Sequence, residues 1–114
     1  MKILYVDDES INLKVFKLVF GKRNEVITAD DGFMGLEKLK ENPDVNVVVS
    51  DMRMPHLNGV EFIKKAKMQY PEIRYYIFTG YEINEEIEQA IKENYVLQCF
   101  NKPLGLKELE KLLS

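Results

Sequence analysis

Cysteine is nearly absent from this chain. Cys99 is the only one in 114 residues, so no internal disulfide can form and no CxxC pair offers metal-ligand spacing. That usage fits a reducing compartment. Long apolar runs are missing too. The N-terminus, MKILYVDDES, has only Ile3-Leu4-Tyr5-Val6 between a lysine and two aspartates. This is too short for a secretory signal and far too short to span a bilayer. The expected location is the cytoplasm, with no membrane partner. Charge of one sign is also lacking: the formal net charge is −3. No strong field would draw the domain to nucleic acid or anionic lipid. Lys64-Lys65-Ala66-Lys67 reads as the wet face of a helix. The single histidine, His56, reads as a solvated loop residue. There is no internal repeat, low-complexity tract or linker, so residues 1–114 read as one domain.

What is present is an ordinary globular composition, 46% hydrophobic and 31% charged. Folding a chain of this size buries roughly two thirds of the unfolded surface. Short apolar runs read as strands at 2–7, 25–29, 45–50, 73–78 and 96–100. Between and after them lie helical patterns. The first is expected over 11–20, capped by Ser10, ended by Gly21, with Ile11, Val15, Leu18 and Val19 as its apolar stripe and Leu13, Phe16 and Phe20 widening the face. Tyr5, Phe16, Phe62 and Phe78 read as core. The second opens at Asp30-Asp31-Gly32, carries Phe33, Met34, Leu36 and Leu39, and stops at Asn42-Pro43. The third runs to about Tyr70 and buries Val60, Phe62, Ile63 and Ala66. The fourth covers 84–94, with Ile83, Ile87, Ala90 and Ile91 on one side, and the last covers 104–113. Strict strand–helix alternation predicts an α/β domain: a parallel sheet with helices on both faces.

In such a sheet the ligand site lies beyond the carboxyl ends of the strands. Here those ends are Asp7-Asp8-Glu9, Asp51, Thr79-Gly80 and Asn101-Lys102-Pro103. The clustered carboxylates repel unless a cation sits among them, and a few hard oxygen ligands suit Mg2+. Thr79 and Lys102 supply a hydrogen-bond donor and a point charge for phosphoryl oxygens. Asp51, at the tip of the valine strand, is the candidate nucleophile, forming an acyl phosphate. Gly59 lets the chain turn into the third helix without a Cβ clash.

YVDDES, VVVSDMRMPHLNG, YIFTG and FNKPL, in that order and spacing, resemble the receiver domain of two-component response regulators across the whole chain. The resemblance implies a flavodoxin-like (βα)5 fold with a five-stranded parallel sheet of order 2-1-3-4-5. It implies phosphotransfer from a histidine kinase or histidine phosphotransfer protein to Asp51. Mg2+ would be bound by the carboxylates of Asp8 and Asp51 and the backbone carbonyl of Arg53, with Asp7 holding a metal water. Thr79 and Lys102 would contact the phosphoryl group, and the Lys102–Pro103 bond would be cis. Such a domain is not a turnover enzyme but promotes its own phosphorylation and dephosphorylation. The signal would pass to a downstream protein target or a fused output domain, or through a homodimer.

The chain departs from the family's pattern at Cys99. A tyrosine or phenylalanine is usual three residues before the lysine, and strand alternation points Phe100 to the other face. Tyr81 or Tyr95 is expected to fill that space. Asn94-Tyr95-Val96-Leu97 replaces the family's small-residue pair, and no output domain follows the last helix, so a stand-alone regulator or an excised domain is expected. Arg53 and Tyr81 flank the water path in this family, and neither orients a water well, so slow self-dephosphorylation is expected. A haloacid dehalogenase-like phosphohydrolase would also use a strand-end Asp, a Thr, a Lys and Mg2+. That chemistry needs an acid two residues after the nucleophile, where Arg53 stands. The remaining rival is a receiver-like interaction module that is not phosphorylated.

Overall fold

The structure is a computed structural model that describes residues 1–103 and 105–113. Strands and helices alternate from end to end: β1 (Lys2–Val6), α1 (Ser10–Phe20), β2 (Glu25–Ala29), α2 (Gly32–Glu41), β3 (Val47–Ser50), α3 (Gly59–Gln69), β4 (Arg74–Thr79), α4 (Glu85–Lys92), β5 (Gln98–Asn101) and α5 (Gly105–Leu113). The five strands form one sheet of order β2-β1-β3-β4-β5, and every pairing is parallel. This is the flavodoxin-like order. The strand order reverses between β1 and β3, and that switch point is where a crevice opens.

Alternation along the strands splits the core into two layers. Leu4, Val6, Val48, Tyr75 and Ile77 face α2, α3 and α4 through Leu39, Phe62, Ile63 and Ile87. Ile3, Tyr5, Val47, Val49, Tyr76 and Phe100 face α1 and α5 through Phe16, Phe20 and Leu109. Being covered on both faces explains why β3 reads as an unbroken apolar run. Cys99 and Phe100 do fall on opposite faces.

Several local expectations need correction. The stripe Ile11, Val15, Leu18 is not the buried face of α1: those residues are 66%, 46% and 70% exposed, and Val19 is half-buried. Phe16 and Phe20, expected on that face, alone carry its full burial: the Phe16 ring stacks on Tyr5 at 4.0 Å and on Phe20 at 4.2 Å. The larger aromatic areas decide which way the helix turns. Ser10 is the first helical residue and not the cap; Glu9 occupies the cap position with no side-chain bond. Gly21 ends α1 with φ −71°, so it does not use the left-handed cap geometry. Phe33 and Met34 are exposed, while Leu39 carries the buried face of α2. Asp31 caps α2 by accepting from Met34 N. Asn84 is the cap of α4 and not part of it, which leaves Ile83 exposed. β3 begins at Val47 rather than at 45, β4 starts and ends one residue later than expected, and β5 runs from Gln98 to Asn101. The expected first residue of the last helix, Leu104, lies outside the described residues.

Candidate functional site

Backbone pairing continues past the strand ends and fixes the rim. Asp7 N donates to Ala29 O at 3.1 Å, Asp51 N to Val6 O at 2.8 Å, and Lys102 N to Thr79 O at 2.8 Å. Each chemistry-bearing residue is therefore held by the ladder of the neighbouring strand. Beyond Asp51 the chain bends back, and Gly59 N donates to Met52 O at 2.8 Å. A Cβ on Gly59 would sit 2.3 Å from the carbonyl oxygen of Asp51. Only glycine permits that approach. Asn58 and Glu61 then form a reciprocal capping box that starts α3.

The side chains meet in one pocket. Lys102 Nζ lies 2.6 Å from Asp7 Oδ2 and 3.4 Å from Asp51 Oδ2. Asp7 is fully buried and Asp51 nearly so. Two backbone donors are local: Glu9 N to Asp7 Oδ1 at 3.0 Å, and Met52 N to Asp51 Oδ1 at 2.7 Å. Burial alone would raise the Asp7 pKa, but bonds from Lys102, Tyr5 and Glu9 N outweigh it and hold the group below its ordinary value. Asp51 goes the other way. Burial pushes it up, and the charge of Asp7 adds to this, while Lys102 offsets part. Two neighbouring acids are thus driven apart in acidity by their surroundings.

Asp8 completes the acid cluster from the exposed side. Carboxylate oxygens of Asp7, Asp8 and Asp51 lie within 4.8 Å of one another. An all-carboxylate donor set of this size fits a hard divalent cation and offers nothing to a soft one. Thr79 is fully buried, and its Oγ1 accepts from Tyr81 N at 3.3 Å. That leaves the hydroxyl proton free to be donated elsewhere. The Arg53 side chain stacks on Tyr81. His56 is exposed, in a left-handed conformation (φ 72°), and belongs to no acid cluster. The Lys102–Pro103 bond is cis, as expected.

One participant escaped the sequence reading. Tyr5 reads as core, and it is buried, yet its hydroxyl donates to Asp7 Oδ2 at 2.6 Å. The signal was available: residues two apart on a strand share a face. Cys99 is half-buried on the α3 side of the sheet, where burial pushes its thiol up to about 11. Tyr95 packs on that same side, whereas the Tyr81 ring is exposed.

The fold and site together define a doubly wound α/β domain that gathers three acids and a lysine at its switch point, with a buried threonine ending β4. The chain belongs to the response regulator receiver domain family, whose model matches residues 3–114. It is 30% identical over 120 residues to a chemotaxis protein CheY homolog of Campylobacter jejuni, covering 99% of this chain and 92% of that one. It is 32% identical over 101 residues to the hydrogenase transcriptional regulatory protein HoxA of Cupriavidus necator, covering 89% of this chain but 21% of that protein. A receiver domain structure from Clostridium thermocellum superposes with a TM-score of 0.90 at 32% identity, covering 98% of this chain and 90% of that one. The protein is thus a phosphoacceptor domain of two-component signalling.

Proposed function

We propose that Asp51 is the phosphoacceptor, taking its phosphoryl group from a histidine kinase or histidine phosphotransfer protein. The observation that carries this is the Lys102 ammonium, held between the carboxylates of Asp7 and Asp51. A half-buried lysine beside a raised-pKa acid is poised for anionic chemistry, not for structural pairing alone. Asp51 Oδ1 is occupied by Met52 N, so Oδ2 is the attacking oxygen. As the O–P bond forms, the P–N bond of the donor phosphohistidine breaks and the imidazole leaves with the electron pair. Lys102 and the Thr79 hydroxyl then balance charge on the transferred oxygens. Mg2+ is the proposed cofactor, held by Asp8, Asp51 and the Arg53 carbonyl, with Asp7 on a bound water. When bound it would neutralise charge on the phosphoryl oxygens.

The domain would act as a switch on other proteins rather than as a turnover enzyme. Its target would be a separate protein or a fused output domain, the latter in the manner suggested by the longer relative HoxA. Incubation with acetyl phosphate and Mg2+ tests the reading by intact mass. The expected result is one phosphoryl group per chain, lost in Asp51→Asn. Labelling of Asp51→Asn, or none of the wild type, would overturn it.

A further inference from the structure

We propose that Tyr5 is a positioning residue that sets how readily Lys102 leaves Asp7 for the phosphoryl group on Asp51. The inference rests on the proposed function. Lys102 Nζ and Tyr5 OH both donate to Asp7 Oδ2, each at 2.6 Å. The ammonium is 0.8 Å nearer to Asp7 than to Asp51 (3.4 − 2.6). In the resting state it is therefore parked on the wrong carboxylate for chemistry. To serve a phosphoryl group on Asp51 it must loosen its bond to Asp7.

That movement has a cost set by what Asp7 keeps. A fully buried carboxylate stripped of its cation is expensive unless other donors remain. Glu9 N serves Oδ1, and Tyr5 alone is left to serve Oδ2. Tyr5 is itself fixed: its ring stacks on Phe16 with centroids 4.0 Å apart and planes within 4°. The hydroxyl therefore stays on Asp7 when the ammonium goes.

A double-variant cycle tests this. Tyr5→Phe removes the hydroxyl and keeps the ring stack. With acetyl phosphate and saturating Mg2+, Tyr5→Phe should slow labelling of Asp51 by roughly tenfold, as expected for one hydrogen bond to a charged group. In a Lys102→Met background there is no ammonium to release, so adding Tyr5→Phe should change the labelling rate less than twofold. A merely structural role would slow both backgrounds alike. Urea unfolding of the metal-free proteins gives the second reading, independent of labelling. Lys102→Met should lower the unfolding midpoint further when Tyr5→Phe is also present, because Asp7 then keeps only Glu9 N. Equal slowing in both backgrounds, no slowing in either, or additive midpoint shifts would each overturn the inference. Absence of labelling in the wild type would instead overturn the proposed function and leave the unfolding cycle to decide on Tyr5.

Discussion

The guanidinium of Arg53 lies 3.9 Å from the ring centroid of Tyr81. The two residues sit on different loops, one after β3 and one after β4, each two positions beyond Asp51 or Thr79. Tyr81 is further tied by its own backbone, donating from N to Thr79 Oγ1 and accepting at O from Asn101 Nδ2 at 3.0 Å. A cation–π pair at an exposed ring is worth about 0.5–1 kcal/mol, enough to keep the two side chains together most of the time.

This stack should slow the loss of phosphate. Hydrolysis needs a water in line with the Asp51–phosphorus bond, and neither side chain can orient one as a base would. Removing the stack with Arg53→Asn and Tyr81→Glu should speed release by roughly tenfold, or about 1.4 kcal/mol of barrier. Phosphate-release kinetics on the labelled protein measure this. Equal or slower release in the double variant would mean that the stack does not control water access.

Metal binding should depend on the exposed member of the acid cluster. Asp8→Ala removes one of the carboxylates gathered within 4.8 Å. Loss of even an outer-shell partner costs roughly tenfold or more in metal affinity, and loss of a ligand should exceed that. Titration calorimetry with Mg2+ reads the dissociation constant directly, and an unchanged value would remove Asp8 from the ligand set.

The opposite shifts of Asp7 and Asp51 predict opposite stability effects. Asp51 is raised, so its charged form is disfavoured by folding. Its penalty is fully present above the folded pKa and vanishes below the unfolded value near 4. In the absence of metal, Asp51→Asn should therefore be more stable than wild type at pH 7, with the gain shrinking toward pH 3. Asp7 is lowered, so its contribution is present above the unfolded value and is lost as pH falls through the lower folded one. Removing that carboxylate by Asp7→Asn should destabilise at pH 7 and matter least in acid. Urea midpoints across pH 3–7 in the presence of a chelator separate the two, and parallel curves would contradict the assignment.

Three positions test the packing that holds the site. Gly59→Ala brings a methyl to 2.3 Å from the Asp51 carbonyl. Overpacking of this kind should cost about 1–3 kcal/mol and also displace the acceptor, so labelling should fall with stability. On α1, Phe16→Ala should cost about 3–5 kcal/mol, while Leu18→Ser should stay within about 0.5 kcal/mol. Denaturant unfolding that reversed this order would restore the stripe expected from apolar spacing.

Much of this protein was decided by local sequence. Strict alternation of apolar strands with helical patterns specified a parallel doubly wound sheet, because parallel strands need crossovers and crossovers take one hand. The acids, Thr79 and Lys102 fall at strand ends in the chain, so their meeting on one rim follows from that topology alone. Asp31 and Gly59 were readable because capping and close backbone approach depend on the residue type itself. Other features needed the tertiary structure. Phe16 was readable as core, but α1 carries apolar residues on several sides, so the exposure of Ile11, Val15 and Leu18 was settled only by the stacking of Phe16 on Tyr5 from the neighbouring strand. The preference of Lys102 for Asp7 over Asp51 was equally out of reach, since it depends on a difference of less than 1 Å between residues 95 and 51 positions away in the chain. The second role of Tyr5 was half legible: its spacing from Asp7 puts both on one face, but the hydroxyl becomes a partner of Asp7 only because the sheet and α1 together exclude water from both. Local pattern chooses elements and their order; burial chooses which polar atoms must satisfy one another, and burial exists only once distant segments have packed.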